Sequence, residues 1–317
     1  MNPPILVGDR GLKTPKISGF TIIRHGCKFD YPFMESLRSL VPLVDEIVIN
    51  VGIGDDETLA KIREFSAGPG QNKVKWFESL WPLDDPEKRR GGKILSEQTN
   101  LALDRCENDW CIYLQADEVL HHEEISDLRR TIAWSDPHPE VEGILFDYLH
   151  FYGSYDVIQV SRSAYRREVR AVRKSSGARS VGDAQSFRKP DGSKLTVVHS
   201  DTSIYHYGWV RTPDAMKAKT FFMDSLYHGA PDPKLLPESK TATGDNYRYK
   251  KIWGLQRFTG HHPSAMIERI RAKNWNWDLE NSPLEWSLRD AKKVALDLIE
   301  RATGKRIFEY RSYRELG

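Results

Sequence analysis

Asp117 and Glu118 close an apolar run, Cys111-Ile112-Tyr113-Leu114, with Gln115 and Ala116 between. The run has the length and the β-branched or aromatic content of a buried strand. Gln115, Asp117 and Glu118, in contrast, are groups that a closed core does not accept unpaired. The strand must therefore end at a wet or metal-filled edge. In an open α/β sheet that edge, at the carboxyl ends of the strands, is where ligands bind. Two carboxylates and an amide there suit a hard divalent cation, which takes oxygen ligands and shares its shell with substrate phosphates. The alternative is an acidic turn opening a helix over residues 123–131, since carboxylates are favoured in a helix's first turn.

The elements that would position these groups are legible from apolar period and punctuation. Residues 19–23 read as a strand ending at Arg24-His25-Gly26, residues 31–41 as a helix, 46–51 as a second strand and 55–65 as a second helix capped by Asp55. A third strand is expected at 73–77, then a polar loop over 81–92 with no regular core element, and a helix over 93–106 leads into the run that ends at Asp117. Strands separated by helices imply a parallel sheet with right-handed crossovers. The loops near Arg24, Gly52 and Asp117 should then converge on one pocket.

Residues 143–152 suggest another strand, carrying Asp147 and His150. Beyond it Arg162, Arg166, Arg167, Arg170, Arg173, Lys174 and Arg179 form a basic stretch, read either as a solvated face or as a phosphate grip. After Pro213 the composition turns to helical segments and tryptophans. There Ser282-Pro283-Leu284-Glu285 has the form of a capping box opening a helix that stops near Gly304.

The segment from Asn100 to Leu120 resembles the part of family 2 glycosyltransferases that carries an Asn, a short helix, a Trp-ended turn, a strand and an Asp-x-Asp metal motif. Here Gln115 stands where that motif has its first Asp. Residues 52–58 are similar to the family's Asp-rich turn, Asp56 and Thr58 matching, while Gly52 replaces the Asp that holds the nucleotide base. The run His206-Tyr207-Gly208-Trp209-Val210-Arg211, with Lys217 and Lys219 downstream, is similar to a segment of a bacterial subgroup of such enzymes. Residues 258–263 and 303–313 are similar to that subgroup as well.

The resemblance implies an α/β fold of the glycosyltransferase A type, a mostly parallel central sheet flanked by helices. It implies a nucleotide-sugar-binding domain over residues 1–212 and a helical extension over 213–317. The activity implied is transfer of a hexose from a nucleotide-diphosphate sugar to a glycan or other hydroxyl acceptor, inverting and metal-assisted, in bacterial surface glycan synthesis. Donor-binding residues carried over are Arg24, His25, Gly52, Asp56, Lys93, Asn100, Gln115, Asp117, Trp209, Arg211 and Lys217. Asp117, Glu118 and His206 would hold Mn or Mg, and Asp183 would act as general base. Trp81, Trp209, Tyr148 and Tyr152 are candidates for stacking on sugar or base, although aromatics also build ordinary cores.

Charge is nearly balanced, with 47 basic and 45 acidic residues, so nothing global calls for nucleic acid or an anionic membrane. Three cysteines, Cys27, Cys106 and Cys111, lack the spacings of a zinc site or a disulfide framework, which fits a reducing compartment. No run approaches the roughly 18 apolar residues of a membrane span, so the expectation is a cytoplasmic protein with at most peripheral membrane contact. Two rivals remain. A nucleotidyltransferase would share the sheet and carboxylates but want a glycine-rich phosphate loop, which Arg24-His25-Gly26-Cys27 does not supply. A binding protein that has lost turnover is favoured by Gln115 and Gly52.

Overall fold

The computed structural model describes residues 14–228, 247–285 and 288–316. The first half alternates strands and helices: β1 (Ile17–Ile23), α1 (Phe33–Leu40), β2 (Glu46–Gly52), α2 (Thr58–Ala67), β3 (Val74–Ser79), α3 (Pro86–Arg89), α4 (Lys93–Asp104) and β4 (Trp110–Tyr113). These strands lie in the order β4-β1-β2-β3 and all pair in parallel. Side chains alternate along β1 and β4. Ile17, Ile23, Trp110, Ile112 and Leu114 pack under α1 and α2 on one face, while Phe20, Ile22, Cys111 and Tyr113 pack under α4 on the other. Apolar residues on both faces are what a strand covered on both sides requires.

The chain then runs through β5 (Glu118–Leu120), α5 (Ile125–Ser135), β6 (Gly143–Tyr152), β7 (Ser154–Gln159), β8 (Arg167–Arg173), β9 (Arg179–Val181), β10 (Ser186–Arg188) and β11 (Thr196–Trp209). β8 joins β4 and β6, antiparallel to both, and β6 pairs in parallel with β11. β5 lies antiparallel to β11, with Glu118 opposite His206. The remaining elements are α6 (Pro213–His228), β12 (Leu255–Arg257), α7 (Ile267–Arg271), α8 (Leu288–Thr303) and β13 (Arg314–Glu315). The division expected at 212/213 falls at the start of α6, yet β12 and β13 return to the same sheet, on β7 and β11. Among the described residues no helix is long and apolar enough to cross a membrane.

Three local expectations need correction. Asp56, not Asp55, engages the turn before α2: its carboxylate accepts from the backbone N–H of Lys28 (2.8 Å) and of Thr58 (3.3 Å). The loop over 81–92 contains the short helix α3, capped by Asp85. The capping box at 282–285 does not form. Ser282 donates to the Asp278 carbonyl, the Glu285 N–H donates to the Lys251 carbonyl, and the described helix begins at Leu288.

The basic stretch forms no phosphate grip, because its members are committed to partners within the protein; it is a solvated face only at Arg166 and Arg179, which are 48% and 47% exposed. Arg162 pairs with Glu300, Arg166 with Glu300 and Glu309, Arg167 with Asp147, and Arg179 with Asp104. Arg173 and Lys174 donate to backbone carbonyls, and Arg170 is fully buried. Arg167, Arg170 and Arg173 belong to β8, which lies inside the sheet between β4 and β6.

Below β11, Phe151, Tyr155, Tyr207 and Met266 form a smaller core against which Phe258 packs, and His262 Nδ1 lies 2.8 Å from the Tyr207 hydroxyl. Burial pushes the His262 imidazole down to about 4. The unfolded chain therefore takes up this proton first as pH falls below the ordinary histidine value. The corresponding stability is present at pH 7 and is lost as pH falls between about 6.5 and 4. Allowing for partial solvent screening, the loss at pH 5 is expected to be about 1 kcal/mol. Urea midpoints at pH 7 and 5 measure it, and an equally large pH dependence in His262→Gln would refute the assignment.

Candidate functional site

At the carboxyl ends of β1 and β4 lies a cavity of about 1060 Å³, at the large end for small-molecule pockets. Of the residues expected to bind donor or metal, Arg24, Gln115, Asp117, His206 and Trp209 line it, as does the expected base, Asp183. Trp81 and Tyr152 are also on its wall. Tyr148 is not, because its hydroxyl is bonded to Glu118 (2.8 Å).

Asp117 is 5% exposed and is fixed from three sides. The Tyr207 N–H donates to the Asp117 carbonyl (2.8 Å), so the β5–β11 pairing welds the acidic turn to the His206–Arg211 run. Oδ2 of the carboxylate faces Lys219 Nζ at 3.1 Å and an Arg211 nitrogen at 3.6 Å, and Oδ1 faces His206 Nε2 at 3.7 Å. Burial alone would raise the Asp117 pKa, but Lys219, His206 and Arg211 hold it well below the ordinary carboxylate range. Burial, with Arg211 adding to it, pushes Lys219 down to about 8.

The expected ligand set is only partly available. Glu118 is fully buried and consumed: Arg170 grips it with two nitrogens (2.9 and 2.8 Å), and the Tyr148 hydroxyl and the Gln115 N–H also donate to it. Among the described residues no three His, Cys, Asp or Glu side chains gather as a metal-holding group. Asp117 Oδ1 and His206 Nε2 remain as a pair. A Cβ on Gly208 would come within 2.6 Å of His206 Nε2 and 3.3 Å of Asp117 Oδ2, so glycine at that position keeps the space beside both donors open. Two protein donors completed by phosphate oxygens and water are a familiar shell for magnesium-like cations. The residues present thus fit a divalent cation through Asp117 and His206, without Glu118.

Several expected donor residues do structural work instead. A Cβ at Gly52 would come within 2.6 Å of Trp81 Nε1 and 2.8 Å of Arg24 Cβ, so the position has no room for the carboxylate it replaces. Asn100 exchanges two hydrogen bonds with the Ser180 backbone, tying α4 to β9. His25 is buried beside Asp55 (3.2 Å), Asp56 holds its turn, and neither lines the cavity. Lys93 and Lys217 are absent from its wall as well. Arg211 is fully buried behind Asp117, donating to the carbonyls of Phe29 (2.7 Å) and Gly208 (3.1 Å).

Sequence reasoning missed what α6 contributes. Met216, Lys219, Thr220, Met223 and Tyr227 all face the cavity, at the three- and four-residue spacing of one helix side. That spacing was the available signal. Trp81, a candidate for stacking, has a buried indole N–H with no hydrogen-bond partner among the described residues.

Asp183 sits between two positive-φ residues, Gly182 (59°) and buried Ala184 (62°). A non-glycine residue held there stores strain of a kind that clusters at functional sites. Tyr227 donates to Asp183 Oδ2 (3.0 Å), and the Gln185 N–H to Oδ1 (3.3 Å). Arg170 donates to the Gln185 carbonyl (2.8 Å) while gripping Glu118, so one guanidinium ties the Asp117 turn to the Asp183 turn.

Family profiles gave no match to this sequence, and curated proteins gave none. Solved structures did give partial overlaps. One is S. aureus TarS 1–349 in complex with UDP, at 14% identity and a TM-score of 0.35, over 67% of this chain and 65% of that one. A second is a mannosyltransferase from Pyrobaculum calidifontis in complex with GDP-Man and Mn2+, at 15% identity, TM-score 0.32, over 42% and 35%. A third is GalNAc-T7 with UDP, GalNAc and Mn2+, at 13% identity, TM-score 0.40, over 68% and 48%. The chain thus spans about two thirds or less of the length of each.

Proposed function

We propose that the protein is a glycosyltransferase of the A-fold type that moves a sugar from a nucleotide-diphosphate sugar to a hydroxyl acceptor. The observation that carries this reading is the composition of one cavity at the sheet's carboxyl edge. It brings together a carboxylate–imidazole pair, the cations Arg24 and Lys219, an aromatic wall and a separate carboxylate, Asp183. In the transfer, the acceptor oxygen bonds to the sugar's anomeric carbon as the bond from that carbon to the diphosphate oxygen breaks. The electron pair leaves with the nucleoside diphosphate, and the acceptor proton passes to Asp183. A single displacement of this kind inverts the sugar carbon.

Arg24 and Lys219 would bind the diphosphate and meet the charge that develops on it. A divalent cation held by Asp117 and His206 would supply further neutralisation of that charge when bound. Trp81 and Trp209 offer faces for the base or sugar. Residues 1–212 would supply most of the donor site, and α6, the first element of the extension, would close one side of it. A hexosyl donor, a role in bacterial surface glycans and a cytoplasmic location belong to the same proposal through the family resemblance.

Calorimetry with uridine and guanosine diphosphates, manganese present, tests the donor half. Binding of at least one is expected. Lys219→Met should weaken it by about 10- to 100-fold, the worth of a charge-assisted hydrogen bond of about 1.5–3 kcal/mol. If no nucleotide binds at millimolar concentration, the transferase reading fails.

A further inference from the structure

His150 lies on β6 directly opposite His206 on β11, a consequence of the parallel register of the two strands. Its side chain is 7% exposed. Nδ1 is 2.8 Å from Nδ1 of His206, and Nε2 is 2.7 Å from the carbonyl oxygen of Tyr165. A carbonyl oxygen only accepts, so His150 Nε2 must carry a hydrogen. A second proton would create a buried imidazolium whose two ring nitrogens face only a neutral imidazole and a carbonyl, with no carboxylate hydrogen-bonded to the ring among the described residues. Nδ1 of His150 is therefore a lone pair, and the hydrogen between the two rings belongs to Nδ1 of His206. A neutral His206 with its hydrogen on Nδ1 has none on Nε2, the atom 3.7 Å from Asp117 Oδ1.

We propose that His150 is a positioning residue: by accepting from Nδ1–H of His206 it fixes that ring's tautomer, so that the Nε2 lone pair is presented with Asp117 to a divalent cation. The cation half of this inference depends on the glycosyl-transfer reading above; the tautomer half does not. The opposite tautomer would set the His150 Nε2 lone pair against the Tyr165 carbonyl at 2.7 Å, a repulsive contact inside the fold. Orientation of a ligating imidazole by a partner on its other nitrogen is a general feature of metal sites, and losing it typically costs about 10- to 100-fold in metal affinity.

Long-range proton–nitrogen spectra of the histidine-labelled protein at neutral pH read the tautomer directly. The expected signature is a protonated Nδ1 and an unprotonated Nε2 for His206; a protonated Nε2 overturns the proposal. His150→Phe keeps a ring in place but removes the acceptor. It should shift His206 toward the Nε2–H form and weaken manganese binding, measured by calorimetry with uridine diphosphate present, by about 10- to 100-fold. His150→Gln offers an amide N–H to Tyr165 and an oxygen to His206, and should restore most of that affinity. Manganese binding by His150→Phe equal to the parent's refutes the assignment. Should that variant fail to fold, the parent's spectrum and the glutamine variant still decide. A parent that binds nucleotide but no cation refutes the cation half alone. One that binds no nucleotide refutes the transferase reading, leaving the tautomer to be judged by the spectrum.

Discussion

Replacing Arg170 by methionine is expected to lower stability by about 3–5 kcal/mol, because it leaves the Glu118 carboxylate buried without its partner. Both side chains are fully buried, and two guanidinium nitrogens meet the two carboxylate oxygens. The Tyr148 hydroxyl and the Gln115 N–H remain as donors to Glu118 but bring no charge. Denaturant unfolding of parent and variant at pH 7 measures the difference. A loss below about 1 kcal/mol, the range of an exposed pair, would show that the pair is not desolvated. Removing both charges together, as Glu118→Leu with Arg170→Met, should recover part of the loss, since the main penalty is the stranded charge. The double variant should still bind nucleotide less well, because the link to the Gln185 carbonyl is gone.

Asp183→Asn is expected to lower turnover by about 10²- to 10⁴-fold with nucleotide affinity nearly unchanged, as for the loss of a general base. The substitution preserves shape in a tight place: a Cβ on Gly92 would lie only 2.8 Å from Asp183 Cβ. The hydrogen bond from Tyr227 aims the carboxylate, so Tyr227→Phe should lower turnover by a smaller factor in the same direction. Steady-state kinetics with a donor and acceptor, beside nucleotide calorimetry, separate the two effects. Unchanged turnover in Asp183→Asn removes the residue from the chemistry, and lost nucleotide binding moves it to the donor side.

The first half of the fold was legible because its strands are short, apolar and separated by helices whose apolar faces repeat. β1, β2 and β4 lie within a few residues of their expected places, and the ends of β1 and β4 meet at one cavity, whereas the Gly52 loop after β2, expected to converge there too, is not on its wall. Asp117 and His206 were legible through types and motif, and a β-strand register brings them together. What sequence could not supply was pairing at a distance. Glu118 looks like a ligand until Arg170, far along the chain, is seen to hold it, and Arg170 looks like part of a basic face until β8 is placed inside the sheet. Gly52 looks like a lost carboxylate in sequence, whereas its neighbours leave no volume for a side chain. A lysine on a helix is usually solvated, and only packing shows Lys219 at Asp117.

The parallel pairing of β13 with the start of β11, Arg314 opposite Thr196, has a consequence for biosynthesis. β1 to β4 with α1, α2 and α4 make contacts that are close in sequence, and this unit can collapse while later residues are still being translated. The start of β11 must wait for a partner that emerges much later, and joining the two closes a long loop. In the interval it presents unpaired backbone donors and acceptors, which readily capture another strand. The vulnerable moment for aggregation is thus set by translation order and falls on the β11 edge, well away from the cavity.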